Sequence, residues 1–285
     1  RLDHVDAQLH LDPFVPEVIA VPSRGIERWI AQEVSQRLGT SPNRHDGIAA
    51  NLLFPSPAQL ITAAISSADG QSVDLQRPRA QDDPWAPSRL VWTLLDVLPT
   101  AGDLGAFADH LHGESGLRRR LPVLLQVAGL FNRYALDRPE MIRAWAANHD
   151  GSAPDTDANG EPLPGRAHWQ PRLWRAAREK LGPSLAEQVA DARAQLSGHK
   201  VEGLPHRLSV YGLTALPTAH AEVLEALAGP HDVHLFLLHP SPALWSAVAP
   251  TADGFASATP RTDDPTQDTT THPLLTSWAR DSREL

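Results

Sequence analysis

The turn at residues 22–25 reads PSRG and stands between an apolar strand candidate and an amphipathic segment. At such a strand-to-helix turn, a phosphate-binding loop reads GxxxxGK followed by Ser or Thr, and its lysine reaches the nucleotide phosphates. No lysine stands in this turn, so we expect no ATP hydrolysis here. Arg24 and Arg28 lie where the free amides of a helix start favour anions. They are candidates for contacts with nucleic-acid phosphates or base edges. The alternative is that they cover the helix surface or pair with Glu27.

The second half of a nucleotide site is also missing. A magnesium-binding motif in a nucleotide-driven motor ends a strand with Asp-Glu, whereas the matching stretch here, residues 211–217, reads YGLTALP. Glu222 and Glu225 come later, in the middle of a predicted helix, where we expect both to face solvent. We therefore predict that the chain holds no ATP, magnesium or other cofactor of its own.

Other catalytic chemistry lacks candidate residues as well. The chain has no Cys, which leaves no thiolate nucleophile and no Cys-based zinc site. His231, His234 and His239 are close in sequence, but their spacing does not place metal ligands on one face. The carboxylates of PDTD at 154–157 lack the lysine of a nuclease site. We predict neither a metal site nor a hydrolase site.

Three stretches interleave aromatic residues with arginines, at 130–139, 142–146 and 168–180. Proteins hold single strands by stacking unpaired bases on such rings while arginines follow the phosphate backbone. The alternative for Phe131, Tyr134, Trp169 and Trp174 is burial, because all four fit the helical spacing of a hydrophobic core.

The composition restricts the class of protein. The 285 residues are 41% hydrophobic and include eight Trp, which is enough for a large buried core. The net charge of -9 argues against a chain that coats nucleic acid through bulk electrostatics, although local clusters of arginine remain. No apolar run reaches the length of a membrane span, so we expect no membrane partner and a cytoplasmic protein.

The amino-terminal elements form a strand, a helix and a second strand. Residues 17–21 and 48–54 are apolar strand candidates, and the segment between them has helical periodicity. Ile26, Trp29, Ile30, Val34 and Leu38 fall on one face of that helix, which should pack on the sheet, and Gly39 should end it. Another helix is predicted to start near residue 58, after two prolines.

The middle of the chain is predicted to be helical, at 88–98, 104–112, 117–136, 139–147, 167–181 and 184–197. The loop at 149–165 should be exposed and mobile, and 249–272 should be a disordered or lid-like loop. A strand from Arg207, a helix at 217–227 and the apolar run VHLFLL return to a parallel sheet in which we expect strands buried on both faces. A helical pattern resumes at 273.

The fold class is therefore α/β: a helicase-like parallel sheet with an inserted all-α subdomain. We predict a first α/β part at 1–68, the helical insertion at 69–200 and a return to the α/β domain at 201–285, where we expect that domain to be truncated.

Five blocks carry a resemblance to a known family: DPFVPEVIAVPSRGIERWIAQEVSQRLG (12–39), GIAANLLFPSPAQLI (47–61), LFNRYALDRPEMIRAW (130–145), LSVYGLTALPTAHAEVLEALAGPHDVHLFLLHPSPALW (208–245) and HPLLTSWAR (272–280). With these blocks in this order, the chain resembles the amino-terminal part of RecC, the gamma subunit of exodeoxyribonuclease V. The resemblance implies an inactive superfamily 1 motor fold in a heterotrimer with RecB-like and RecD-like subunits, which would supply ATP and magnesium chemistry. It also implies a role in DNA repair and recombination. The subunit would split duplex-end DNA and pass the unwound single-stranded 3′ end along a surface that scans for the Chi signal.

The family's scanning surface maps onto three segments of this chain. The matching positions are Pro22, Ser23, Arg24, Arg28, Ser56, Thr62, Gly129, Leu130, Asn132 and Arg138. Leu130 and Arg138 keep the residue types that the family implies. The positions that depart from those types are 22, 24, 28, 56, 62, 129 and 132. Because base readout depends on donor and acceptor geometry, we expect strand guidance here ahead of sequence reading.

Two other functions stay open at this point. One is an active ATP-dependent helicase or nuclease, which the missing lysine and carboxylates argue against. The other is a purely structural module that holds partner subunits together and does not touch DNA.

Overall fold

The described residues form a four-stranded parallel sheet from strands near the two ends of the sequence. The computed structural model describes residues 14–37, 47–75, 83–237, 239, 241–252, 261–270 and 272–278. Its strands are β1 (Glu17–Ala20), β2 (Leu52–Leu53), β3 (Arg207–Tyr211) and β4 (Asp232–Phe236), in the spatial order β2-β1-β3-β4. The predicted parallel sheet is therefore confirmed, including the pairing of the two late strands with each other.

The order of the strands places the connecting helices on two faces. Crossovers between parallel strands are right-handed. The crossover from β1 to β2 runs in one direction across the sheet, and the crossovers from β2 to β3 and from β3 to β4 run in the other. Helix α1 (Arg24–Ser35) therefore covers one face, while α2 (Pro57–Ala68) and the helix between β3 and β4 cover the other. Helix α1 begins earlier than predicted, and the predicted Leu38 and Gly39 lie outside the described residues.

Where the structure describes the chain between α2 and β3, its α-helices are α3 (Pro87–Val97), α4 (Ala106–Leu111), α5 (Gly113–Asp137), α6 (Pro139–Ala147), α7 (Trp169–Leu181) and α8 (Leu185–Gly198). The later helices are α9 (Thr218–Leu227), α10 (Pro242–Ala252) and α11 (Pro273–Trp278). The predicted helical middle is confirmed, and most bounds agree within two residues. None of the described helices combines the length and the apolar composition needed to cross a bilayer.

The described residues pack into two large hydrophobic clusters. The first joins α3 to α7 around Phe131, Trp145 and Trp174, whose side chains are almost fully buried. The second joins the sheet to α2, α8 and α9. Helix α8 contributes Val189 and Leu196 to this second cluster, so the last helix of the predicted insertion packs with the sheet. The domain boundaries themselves stay a prediction.

The loop at 149–165 is mostly exposed, as predicted, and it is docked onto the helices by several side-chain contacts. Its mobility stays a prediction. Asp155 forms a bidentate ion pair with Arg175 on α7, with bonds of 2.7 and 3.0 Å. The Trp145 indole donates to the Thr156 carbonyl at 2.9 Å. Burial alone would raise the pKa of Asp155, but the hydrogen bonds from Arg175 and Asn148 outweigh it and hold that pKa below its usual value. The carboxylate considered for nuclease chemistry therefore has a structural partner.

Three further expectations are corrected. Glu222 does not face solvent, because it pairs with Arg143 on α6; Glu225 is exposed as predicted. Strand β4 is the edge strand of the described sheet and is largely exposed, rather than buried on both faces. The predicted loop at 249–272 starts later than expected, because α10 continues to Ala252 and two short 3-10 turns occupy 261–263 and 267–269. Residues 253–260 and 271 lie outside the described residues, and the disordered or lid-like character of this segment stays a prediction.

Candidate nucleic-acid interface

The candidate interface lies at the carboxyl edge of the sheet. All four strands are parallel, so their carboxyl ends share one edge. The chain direction across the sheet reverses around β1, and open α/β sheets bind ligands at this type of switch point. Helices α1, α2 and α9 each start at this edge, and their first amides have no partner within the helix.

The start of α1 carries two exposed arginines. Only three residues, 21–23, join β1 to α1, and the Ser23 hydroxyl caps the helix by accepting from the Ile26 amide at 3.4 Å. Arg24 and Arg28 lie one turn apart and are exposed, as is Pro22. Neither guanidinium forms an ion pair within the described part of the chain, so the alternative pairing with Glu27 is not found there. Both arginines can therefore meet an anion from solvent.

The start of α2 lies beside that of α1. The Val21 amide donates to the Pro55 carbonyl at 2.9 Å, which fixes the two turns next to each other. Ser56 closes a capping box: its amide donates to Gln59 Oε1 at 2.6 Å, and its hydroxyl accepts from the Gln59 amide at 3.2 Å. Thr62 is half-buried further along α2. The Ser56 hydroxyl is thus used as a helix cap.

The end of α5 reaches the same edge. The Asp137 carbonyl accepts from the hydroxyl of Thr218, the first residue of α9, at 3.2 Å. The exposed Arg138 places its guanidinium 5.6 Å from the centre of the Tyr134 ring. Burial raises the pKa of Asp137, and the positive charges of Arg138 and Arg133 oppose that rise. Arg138 and Arg133 therefore lie close enough to the Asp137 carboxyl at the end of α5 to influence its pKa.

The other α5 candidates lie back from the edge. Gly129, Leu130 and Asn132 are half-buried. Leu130 lies about 12 Å from Arg138 along the helix, from the 1.5 Å rise per residue. The structure thus brings together the turn of α1 and the start of α2, and it places Arg138 beside the start of α9 at the same edge. Leu130 and Asn132 lie further along α5.

The aromatic residues of the helical middle are mostly core. Trp174 and Phe131 are almost fully buried. Trp169 stacks on Phe107 with ring centres 3.9 Å apart. The interpretation of Phe131 and Trp174 as base-stacking surfaces is therefore wrong, and for these two rings the alternative of a hydrophobic core is confirmed. Tyr134 and Trp169 are partly buried and pack against the same core.

Sequence reasoning missed a different group of rings at the edge. Trp29, assigned to the buried face of α1, is half-exposed and lies 6.0 Å from the Tyr211 ring. Tyr211 in turn lies 6.0 Å from Phe236. The sequence contained one sign that Trp29 is exposed. Trp29 lies at the border of the apolar stripe formed by Ile26 and Ile30, directly after Arg28.

The stretch that follows β3 has a packing role. Gly212 has a φ of 74°, a left-handed conformation that favours glycine, and a Cβ there would lie 3.1 Å from Ile26 Cδ1. Its amide donates to the Phe236 carbonyl at 2.9 Å. Gly212 therefore lets α1 approach the sheet closely.

The described part of the chain holds no cluster of three His, Asp, Glu or Cys side chains that could bind a metal. Both ring nitrogens of His231 are used by the backbone: Nε2 accepts from the Val201 amide at 3.0 Å, and Nδ1 lies 2.9 Å from the Pro205 carbonyl. Burial lowers the pKa of His231, which favours the neutral ring. This histidine fixes two loops to each other.

Comparison with known proteins places the chain among relatives of one name. The family described as "RecC, N-terminal domain" matches residues 3–285. The "RecBCD enzyme subunit RecC" of Mycobacterium tuberculosis H37Rv is 38% identical, over 96% of this chain and 24% of the relative. The proteins of the same name from Mycolicibacterium smegmatis and Escherichia coli K12 are 36% and 27% identical, over 96% and 87% of this chain and 23% and 22% of the relatives. The chain spans about a quarter of the length of these curated relatives.

Proposed function

Since the chain belongs to the RecC family, we propose that it is part of a RecBCD-type helicase-nuclease for double-strand break repair and homologous recombination. Its role there is DNA handling without catalysis of its own. The carboxyl edge of the sheet guides the unwound 3′ strand. RecB-like and RecD-like partners carry out the chemistry and bind the ATP and magnesium that it requires.

The observation that carries this proposal is the short turn between β1 and α1. Three residues join the strand to the helix, and Arg24 and Arg28 stand where a phosphate-binding loop and its lysine would be needed. An arginine offers a planar fork of donors that suits phosphate oxygens, and it can also stack on bases. The turn therefore suits contacts along a nucleic-acid backbone better than enclosure of a triphosphate. The helicase-like ancestry of the sheet belongs to this proposal and rests on the family resemblance.

Sequence reading is a finer part of the same proposal. Leu130 and Arg138 match the residue types expected of a Chi-scanning surface, but Pro22, Arg24 and Arg28 do not. Base recognition requires specific donors and acceptors at fixed positions. We therefore propose that any sequence preference of this surface differs from that of relatives with the family's usual residues.

Salt-dependent binding of single strands by the purified full-length protein tests the guiding role. Each phosphate contact adds about 0.7 to the slope of log affinity against log salt for single strands. Arg24→Ala and Arg138→Ala should each weaken binding and lower that slope by about one contact. Arg118→Ala is the matched control, since Arg118 is exposed on α5, the helix that ends directly before Arg138. It lies about 28 Å from the end of α5 along the helix.

The two alternatives predict other outcomes. If the wild-type protein does not retain single strands at any salt concentration, the guiding role is wrong and the assembly module remains. If the isolated protein hydrolyses ATP and loses that activity on a substitution in the 21–25 turn, the non-catalytic role is wrong. Equal effects of the Arg24, Arg138 and Arg118 substitutions would place the contacts away from the carboxyl edge.

A further inference from the structure

Three aromatic side chains form a continuous row at the carboxyl edge of the sheet. The rings of Trp29, Tyr211 and Phe236 follow one another at centre-to-centre distances of 6.0 Å, tilted by 35° and 34°. We call these three residues the aromatic row. His234 extends it, with its ring 6.3 Å from Phe236 and nearly parallel to it.

The topology places this row on the face of the sheet that α1 covers. Tyr211 and Phe236 are register partners and the last residues of β3 and β4, so their side chains lie side by side at the carboxyl end. Val233, an odd number of positions from Phe236, packs into the cluster of α2, α8 and α9 on the opposite face. Helix α1 supplies Trp29 to the row, and it leaves the rings of Trp29 and Phe236 exposed.

The outer rings are too exposed for a core pair. Trp29 is 51% exposed and Phe236 is 41% exposed, whereas the stacked core pair Trp85 and Trp174 is 6% and 0% exposed. A single exposed ring is common on protein surfaces, whereas a contiguous exposed apolar patch marks an interaction site. The central Tyr211 is half-buried and supports both neighbours.

The positive charges of Arg24 and Arg28, which precede Trp29 in α1, indicate the charge of a ligand that covers the row. Arg28 precedes Trp29 in α1, Arg24 lies one turn earlier, and neither is paired with a carboxylate in the described part of the chain. A ligand that covers the row must therefore carry flat apolar groups together with negative charge. Single-stranded nucleic acid has this combination at every residue, because each base has a stacking face and each linkage has a phosphate.

We propose that the aromatic row is a stacking platform for unpaired bases of a single strand, with its phosphates directed to Arg24 and Arg28. This inference rests on the proposed guiding function and assigns the bases a site of their own. Every base has a π-face, so stacking is tolerant of sequence. The platform therefore lets successive bases occupy the same site, which is what passage of a strand of any sequence requires.

The test measures binding of a labelled oligothymidylate to the purified full-length protein. Trp29→Leu and Phe236→Leu should each weaken binding by about fivefold to a hundredfold, from the energy of one base-aromatic stack, and should leave the salt slope unchanged. Trp92→Leu is the matched control, since Trp92 is 63% exposed but lies on α3. It should bind like the wild-type protein. An oligonucleotide of the same length with abasic sites keeps the phosphates, and it should not distinguish Trp29→Leu from wild type.

The possible failures can be told apart. If wild-type protein does not bind the oligothymidylate, the guiding function fails and the platform fails with it. If wild type binds with the expected salt dependence but Trp29→Leu equals Trp92→Leu, the platform alone is wrong. If Trp29→Leu and Phe236→Leu lower the melting temperature while Trp92→Leu does not, the row is covered by polypeptide, which also overturns the platform.

Discussion

Glu222→Ala should destabilise the chain far more than Glu225→Ala, although both residues lie on α9 and both pair with an arginine. Glu222 and its partner Arg143 are 14% and 18% exposed, whereas Glu225 and its partner Arg193 are 70% and 50% exposed. Removing one member of a buried pair costs about 3–5 kcal/mol, since the other charge stays buried. Arg143 keeps a 2.9 Å hydrogen bond to the Ala186 carbonyl and a 2.8 Å bond to the exposed carboxylate of Glu140. We therefore expect a loss at the lower end of this range, about 3 kcal/mol. An exposed pair contributes about 0–1 kcal/mol.

Urea-induced unfolding of the 285-residue chain, followed by far-ultraviolet circular dichroism, measures both losses. The midpoint should fall clearly for Glu222→Ala and hardly for Glu225→Ala, with the slope against urea unchanged in both. A double variant, Arg143→Met with Glu222→Leu, should lose less than the sum of its two single substitutions, because no buried charge is left alone. Equal losses for the two glutamate variants would refute the argument from burial.

Three further results are expected. The lowered pKa of Asp155 means that the unfolded chain takes up a proton first on acidification, so the stability gained from its pair with Arg175 is present near neutral pH and declines below about pH 4. The difference in unfolding free energy between wild type and Asp155→Asn should become smaller below that pH. A difference that does not change with pH would contradict a lowered pKa of Asp155. Trp174→Ala should cost about 3–5 kcal/mol and Trp92→Ala less than about 0.5 kcal/mol in urea titrations, and similar losses would show that Trp174 is not a core residue. Gly212→Ala should lower the unfolding free energy by about 1–2 kcal/mol because of its positive φ, and an unchanged midpoint would contradict that strain.

Local patterns predict most of the fold. Apolar runs and helical periodicity are properties of short segments, and proline and glycine end helices at defined places, so the elements from α3 to α9 fall close to their predicted bounds. The position of a strand in the sheet is a different kind of property. The run VHLFLL predicts burial on both faces, but β4 is the edge strand of the described sheet and so remains open.

The sequence predicts the location of those site residues that lie directly at a strand-to-helix turn, and not of those that long-range contacts bring into the site. Arg24 and Arg28 follow directly from the strand-to-helix turn, which places them at the carboxyl edge whatever the rest of the fold. The ion pair of Arg143 with Glu222 joins residues 79 apart, and no local pattern reports such a contact. Trp29 was misassigned because periodicity gives the direction of a side chain but not whether a neighbouring element covers it.

The arrangement of the edge argues for a long ligand. The hydroxyls of Ser23 and Ser56 are already committed to helix caps, so the remaining contacts come from side chains further out. Arg24 lies at the start of α1, which follows β1, and Arg138 lies at the end of α5. The aromatic row extends across the ends of β3 and β4. A single nucleotide bound at the 22–25 turn meets only the first of these groups. A ligand that meets all of them must extend along the carboxyl ends of several strands, which is the property of a polymer with a charge and a base at each repeat.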